Sequence, residues 1–211
     1  MMSAYRIALA NLKGGCGKST LALNLAAGLA RRGKVCLVDA DPQGALTHWA
    51  SWAEPDASRT LVVKPASAPL DLASQMSGVD YLVTDCPPSL DMHITREVLQ
   101  QSSHVIIPIL PSPLDLWASH AVAGTLREIR QINPGLKAWI LLNQVESSSA
   151  LSRAMAQVLH QLELPILGTQ VKRRAAYRVA MLEGKSVYQL GGRGRQAADE
   201  IETILDEVLQ T

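Results

Sequence analysis

The 211 residues contain no C-x-x-C pair. Cys16, Cys36 and Cys86 stand singly and far apart, which argues against a paired-thiol redox centre or a multi-cysteine zinc site. No unbroken apolar run approaches the roughly 18 residues that a membrane-spanning helix needs. The opening MMSAYRIALANLKGG runs directly into an apolar strand, so no signal peptide is expected. Charge of either sign is scarcely in excess: 20 Lys and Arg against 19 Asp and Glu leave +1, and the chain as a whole exerts no general pull on polyanions. Internal repeats, low-complexity tracts and long linkers are also missing, so residues 1–211 read as one domain, loosest over 54–60.

What is present alternates. Short apolar runs at Tyr5–Ala10, Val35–Asp39, Tyr81–Asp85, Val105–Leu110 and Ala138–Asn143 are separated by stretches of helical composition, with weaker strand candidates at Leu61–Lys64 and Ile166–Val171. That order predicts an α/β fold, a doubly wound and mainly parallel sheet of about seven strands with helices on both faces. Ligands of such sheets gather at the carboxyl ends of the strands. Asp39, Asp41, Asp85 and Asn143 all fall there.

The first strand leads into KGGCGKST, residues 13–20. Gly17-Lys18-Ser19 completes the G-x-x-x-x-G-K-[ST] pattern, in which backbone N–H groups surround phosphates, a lysine reaches the β/γ oxygens and a hydroxyl takes Mg²⁺. Leu12 stands where the first glycine belongs, so the loop is a variant, and it carries a second lysine, Lys13. The Ala- and Leu-rich helix expected over 19–31, stopping near Gly33, would aim its N-terminus at the anion. Gly14, Gly15, Cys16, Gly17, Lys18, Ser19 and Thr20 form the expected nucleotide-binding set.

LVDADPQ places Asp39 and Asp41 one residue apart at a strand exit, and alternation along a strand lets both face one side. One can order Mg²⁺ and its waters while the other orients an attacking water. The plainer alternative is a solvated turn that caps the next helix. YLVTDCPP repeats the strand-end carboxylate at Asp85, ahead of two prolines that stiffen the exit.

With these motifs in order, the chain resembles the ParA/MinD family of deviant P-loop ATPases, and within it the short, ParF-like ParA-type members. KGGCGKST, LVDADPQGALTHWA, YLVTDCPPS, VIIPILPSPLDLWA and RRAAYRVAMLEGKSV carry the resemblance over nearly the whole length. It implies an ATP hydrolase, with ATP and Mg²⁺, that dimerises on ATP. By that resemblance Lys13 crosses the dimer interface to the partner's nucleotide, Lys18 serves its own β/γ oxygens, and Asp41 positions the attacking water. Ser19 ligates Mg²⁺, Asp39 and Asp85 stand in or near its outer shell, and Asn143 contacts adenine. For Asn143 an ordinary strand-end turn remains the alternative.

Two further segments bear on partners. The closing residues 196–211 set Ile201, Ile204, Leu205, Val208 and Leu209 at helical spacing beside five carboxylates, an acidic face that anionic lipid repels. This helix is expected to pack on the sheet, with no membrane partner. Residues 172–195 instead gather Lys172, Arg173, Arg174, Arg178, Lys185, Arg193 and Arg195 against Glu183 alone, a net +6. Such a patch can hold phosphates without reading bases, or it can be a solvated face, or serve the nucleotide. The resemblance favours non-specific DNA held by the ATP-bound homodimer in a cytoplasmic, nucleoid-associated protein. It implies a cargo (plasmid, chromosome region, carboxysome or chemoreceptor cluster) whose adaptor protein stimulates a slow ATPase. No helix-turn-helix precedes the loop, so operator binding is not expected. The alternative is a metabolic or maturation ATPase of the same fold without DNA binding.

Overall fold

Side-chain alternation builds the sheet and aims its carboxylates. In the computed structural model, which describes residues 5–53, 60–67, 70–89, 93–146 and 164–210, six strands form: β1 Tyr5–Leu9, β2 Val35–Asp39, β3 Leu61–Pro65, β4 Tyr81–Asp85, β5 His104–Ile109 and β6 Lys137–Leu142. All neighbours are parallel, in the order β3-β2-β4-β1-β5-β6. Every residue of β2 and β5 is buried, as a sheet covered on both faces requires.

Helices α1 Lys18–Leu29, α2 Ala45–Trp52, α3 Leu72–Gln75, α4 His93–Gln101, α5 Pro113–Ile132, α6 Ala175–Leu182 and α7 Arg195–Leu209, with a 3-10 segment at Val187–Arg193, surround it. One core holds Ile7, Leu9, Val35, Leu37, Val83, Ile106, Trp139 and Leu141 together with residues of α1, α6 and α7. The other holds Ala8, Cys36, Val38, Leu82, Val105, Ile107, Ala138 and Ile140 with residues of α4 and α5. Odd-numbered residues of β2 and β4 thus face α1. Asp39 and Asp85, register partners at the strand ends, continue that parity and turn toward the same helix.

The seventh expected strand is not formed. Ile166 and Lys172 make isolated bridges to Ile140 and Val145. Between them the N–H groups of Gly168 and Thr169 donate instead to the Glu207 carboxylate of α7, at 2.7 and 2.9 Å. A side chain from a distant helix has taken the donors that a ladder needs. The expected loose segment 54–60 lies, apart from Thr60, outside the described residues.

The C-terminal helix α7 buries Ala197, Ile201, Ile204, Leu205 and Val208 in the first core. It lies beside α1 and the 3-10 segment, and its Glu202 and Asp206 pair with Arg32, at 2.6 and 2.8 Å. The 3-10 segment is tied to α1 as well, because the Val187 N–H donates to the Asn24 side-chain oxygen Oδ1 at 2.8 Å. Among the described residues no helix is long and apolar enough to cross a membrane.

Candidate nucleotide site

The loop after β1 closes on α1 with Gly15 and Gly17 in left-handed conformations, φ 77° and 88°. Gly17 is doubly constrained, since a Cβ there would also lie 2.6 Å from the Asn143 amide nitrogen. A cavity of about 330 Å³ opens over this loop, lined by Gly14, Gly15, Gly17, Lys18, Ser19, Thr20, Asp41, Pro88 and Gln144. Of the expected set only Cys16 is turned away: it is buried, its thiol donates to the Lys13 carbonyl at 3.5 Å, and burial raises its pKa, with Lys18 opposing.

Both lysines are held within the chain. Lys18 is only 6% exposed, and its ammonium donates to the Lys13 carbonyl at 3.1 Å. The Lys13 ammonium is 3.6 Å from the carboxylate of Asp115, in the first turn of α5. Asp115 is itself buried and accepts a hydrogen bond from Ser112, the residue that caps this helix. A lysine expected to reach a second subunit therefore has a partner at home.

The carboxylates are in the opposite condition. Asp39 accepts from the Thr47 N–H at the start of α2, at 2.8 Å, so the helix-capping alternative holds for one of its oxygens. Its other oxygen is buried and without a hydrogen bond among the described residues, and so are both oxygens of Asp85. Burial pushes the Asp85 carboxyl up to about 7; the nearby Ser19 and Lys18 oppose the rise, and Asp39 and Asp41 add to it. Asp41, at the cavity wall, keeps its carboxylate accepting from Gln43 N–H at 2.9 Å.

Partnerless buried carboxylate oxygens beside a hydroxyl suit a hard cation. No cluster of three or more His, Cys, Asp or Glu side chains is arranged to hold a metal ion among the described residues. By their donor chemistry, a hydroxyl and buried carboxylate oxygens without hydrogen bonds, Ser19, Asp39 and Asp85 fit Mg²⁺, which shares its coordination with water and phosphate and takes few protein ligands.

Asn143 is buried, with its amide N–H on the Cys16 carbonyl at 2.6 Å and its carbonyl accepting from Gln144 N–H at 2.9 Å. It borders a second cavity, of about 140 Å³, with Gly17, Thr20, Gln144, Lys172, Arg173, Arg174, Tyr177 and Arg178 among its lining. Arg173, Arg174, Arg193 and Arg195 surround a third hollow, of about 530 Å³. Lys185 lines neither.

Most of these cations are already paired: Arg173 with Glu146 at 3.0 Å, Arg174 with Glu200 at 2.8 Å, and Lys185 and Arg193 with Glu183 at 3.4 and 3.2 Å. Lys172 donates to Gln170 at 3.4 Å. The side chains of Arg178 and Arg195 have no ion pair among the described residues.

The sequence alone assigned no role to Asp115 or Gln144, and gave Pro88 only the stiffening of the strand exit. Asp115 stands within a motif that carried the resemblance, but nothing local pairs it with a lysine about a hundred positions away. Gln144 has no sequence signal at all, since what sets it apart is its backbone angle, φ 55°.

The chain is similar to known proteins. The CbiA family, described as the CobQ/CobB/MinD/ParA nucleotide binding domain, matches residues 7–187. The chain is 51% identical over 209 residues to maintenance of carboxysome distribution protein A of Halothiobacillus neapolitanus, covering 98% of this chain and 97% of the relative. Its fold is similar to that of a Cyanothece McdA aspartate-to-alanine variant in complex with ATP, with TM-score 0.76 and 20% identity over 97% of this chain and 96% of that one. It is also similar to cobyrinic acid a,c-diamide synthase of Mycobacterium smegmatis with bound ADP and magnesium, with TM-score 0.70 and 26% identity over 85% of this chain and 93% of that one. The chain belongs to the CobQ/CobB/MinD/ParA family of nucleotide-binding domains.

Proposed function

We propose that this protein is an ATP hydrolase whose ATP-bound homodimer holds DNA non-specifically and keeps a cargo, the carboxysome, distributed in the cytoplasm over the nucleoid. An adaptor protein on the cargo stimulates its slow turnover and so releases it. One observation carries the chemistry: Asp39 and Asp85 bury oxygens without a hydrogen bond among the described residues, and Asp85 lies near Ser19 and Lys18, two residues that line a glycine-walled cavity. The cargo rests on the relative named for maintenance of carboxysome distribution, which matches end to end.

Phosphates enter over the first turn of α1, where free N–H groups and the helix dipole favour anions. Lys18 exchanges the Lys13 carbonyl for the β/γ oxygens. Ser19, Asp39 and Asp85 would hold Mg²⁺, which when bound offsets phosphate charge. Asp41 accepts a hydrogen bond from the attacking water and aligns it. The nucleoside lies toward the second cavity, with Asn143 in its wall.

Two bound nucleotides bring high negative charge to a dimer interface, and Lys13, leaving Asp115, offsets that of its partner. Dimerisation then doubles a weak basic surface into one that holds DNA. Labelled carboxysomes in the cell of origin test the cargo. With Lys18→Ala replacing the native protein they should collapse from even spacing into clusters. Unchanged spacing, or a loss confined to plasmid retention, would contradict the carboxysome as cargo.

A further inference from the structure

Gln144 is the one non-glycine residue with a positive φ among those described. Its value of 55° is uncommon outside glycine, asparagine and aspartate, and such strain persists where surroundings impose it, often at ligand sites. Here the Asn143 side chain holds the Gln144 N–H at 2.9 Å and so helps to fix the turn. The turn sends the Gln144 amide to the Gly15 carbonyl at 3.3 Å, while Asn143 holds the next carbonyl, Cys16, at 2.6 Å. Two adjacent side chains at the end of β6 grip two adjacent carbonyls of the phosphate loop.

A trans peptide is planar, with its C=O and the following N–H pointing in opposite directions. Drawing the Gly15 oxygen toward Gln144 therefore turns the Cys16 N–H the other way, and drawing the Cys16 oxygen toward Asn143 does the same for Gly17 N–H. Left free, those carbonyls could rotate toward the cavity and present lone pairs to a phosphate. Gln144, which borders both the 330 Å³ and the 140 Å³ cavities, stands where the loop needs that restraint.

We propose that Gln144 is a positioning residue for the nucleotide's phosphates: its amide keeps the Gly15 carbonyl out of the cradle, so that the loop's N–H groups are set for an anion before one arrives. It rests on reading residues 14–20 as that cradle. Its benefit is preorganisation, felt by any polyphosphate and independent of the base.

The test compares Gln144→Gly, which accepts the native φ without the amide, with Gln144→Glu, which keeps the shape but offers the Gly15 oxygen only acceptors. Affinity is measured for ATP and for inorganic tripolyphosphate, and melting temperature without ligand, with Lys18→Ala as the control for the site itself. Gln144→Gly should weaken both ligands equally, by roughly 5- to 10-fold, the ordinary worth of one hydrogen bond. Its unliganded melting temperature should stay at or above the native value, and Gln144→Glu should bind more weakly still.

Native affinity in Gln144→Gly, or a lower melting temperature with native affinity, would overturn the proposal. So would weaker ATP binding with tripolyphosphate binding unchanged, which would make Gln144 a base-side contact. Native affinity in Lys18→Ala would instead bring down the reading of the cradle, a failure distinguishable from that of Gln144.

Discussion

The acidic strand ends and the basic segment differ in how far the fold has satisfied their charges. At the sheet, Asp39 and Asp85 are buried with oxygens that make no hydrogen bond among the described residues, and for Asp85 the nearby Ser19 and Lys18 offset burial only in part. Over 172–195 the cations are mostly at the surface, and Glu146, Glu183 and Glu200 form ion pairs with four of them, Arg173, Arg174, Lys185 and Arg193. Buried charge without a partner costs stability, whereas an exposed pair contributes little. The acidic site therefore fits a cation, and under the proposed function the basic surface, largely neutralised in place, would draw its polyanion affinity from the residues left over and from duplication in a dimer.

The largest effect that would break this contrast is at Asp41. Asp41→Ala should lower ATP turnover by roughly 100- to 1,000-fold, the range of a water-orienting group, while ATP binding persists. Single-turnover kinetics would show it, and native turnover would leave Asp41 a mere turn residue.

Asp85→Asn sharpens the comparison from the side of stability. Removing an unserved buried charge should stabilise the unliganded protein by about 1 kcal/mol while Mg²⁺-dependent turnover is lost. A fall in the unliganded melting temperature would mean that Asp85 has a stabilising partner.

On the basic side, Arg178→Ala with Arg195→Ala should lower the slope of log affinity for duplex DNA against log salt by about two per chain. Arg174→Ala should instead chiefly cost stability, because it strands Glu200, which also accepts from Tyr177 at 3.1 Å. An unchanged slope in the double variant would send the DNA contacts elsewhere.

A pH-dependent effect lies at the other end of the sheet. Burial, helped by Lys137, holds the His104 imidazole below its usual 6.5, at about 4, where it stacks on Trp139, touches Tyr5 and shares a hydrogen bond with Ser103. The unfolded chain takes up this proton below 6.5 and the native one only near 4, so its contribution is complete above 6.5 and declines as pH falls between the two. The loss should be about 1 kcal/mol per pH unit crossed. His104→Phe should flatten urea-denaturation stability over that window, and an equally steep decline in the variant would place the proton elsewhere.

Much of this was legible in the sequence because it is local. A strand's period of two, a carboxylate at its end and a glycine loop before a helix are all set within about ten residues, and β1 to β6 formed where those patterns stood. What was not legible depends on partners far along the chain. Ile166–Val171 has strand composition, yet Glu207 claims the donors at its centre. Residues 172–195 read as +6, yet Glu200 and Glu146 reach in from outside the segment. Lys13 looks free in KGGCGKST, yet Asp115 holds it.

That last pair bears on the central proposal, that ATP converts a self-contained chain into a dimer through Lys13. Molar mass in solution with Mg²⁺ and ATP, for the native protein and for Lys13→Ala, tests it most directly. The account predicts a dimer for the native chain with ATP, a monomer with ADP, and a Lys13→Ala variant that binds ATP yet stays monomeric. A variant that dimerises like the native protein would contradict it.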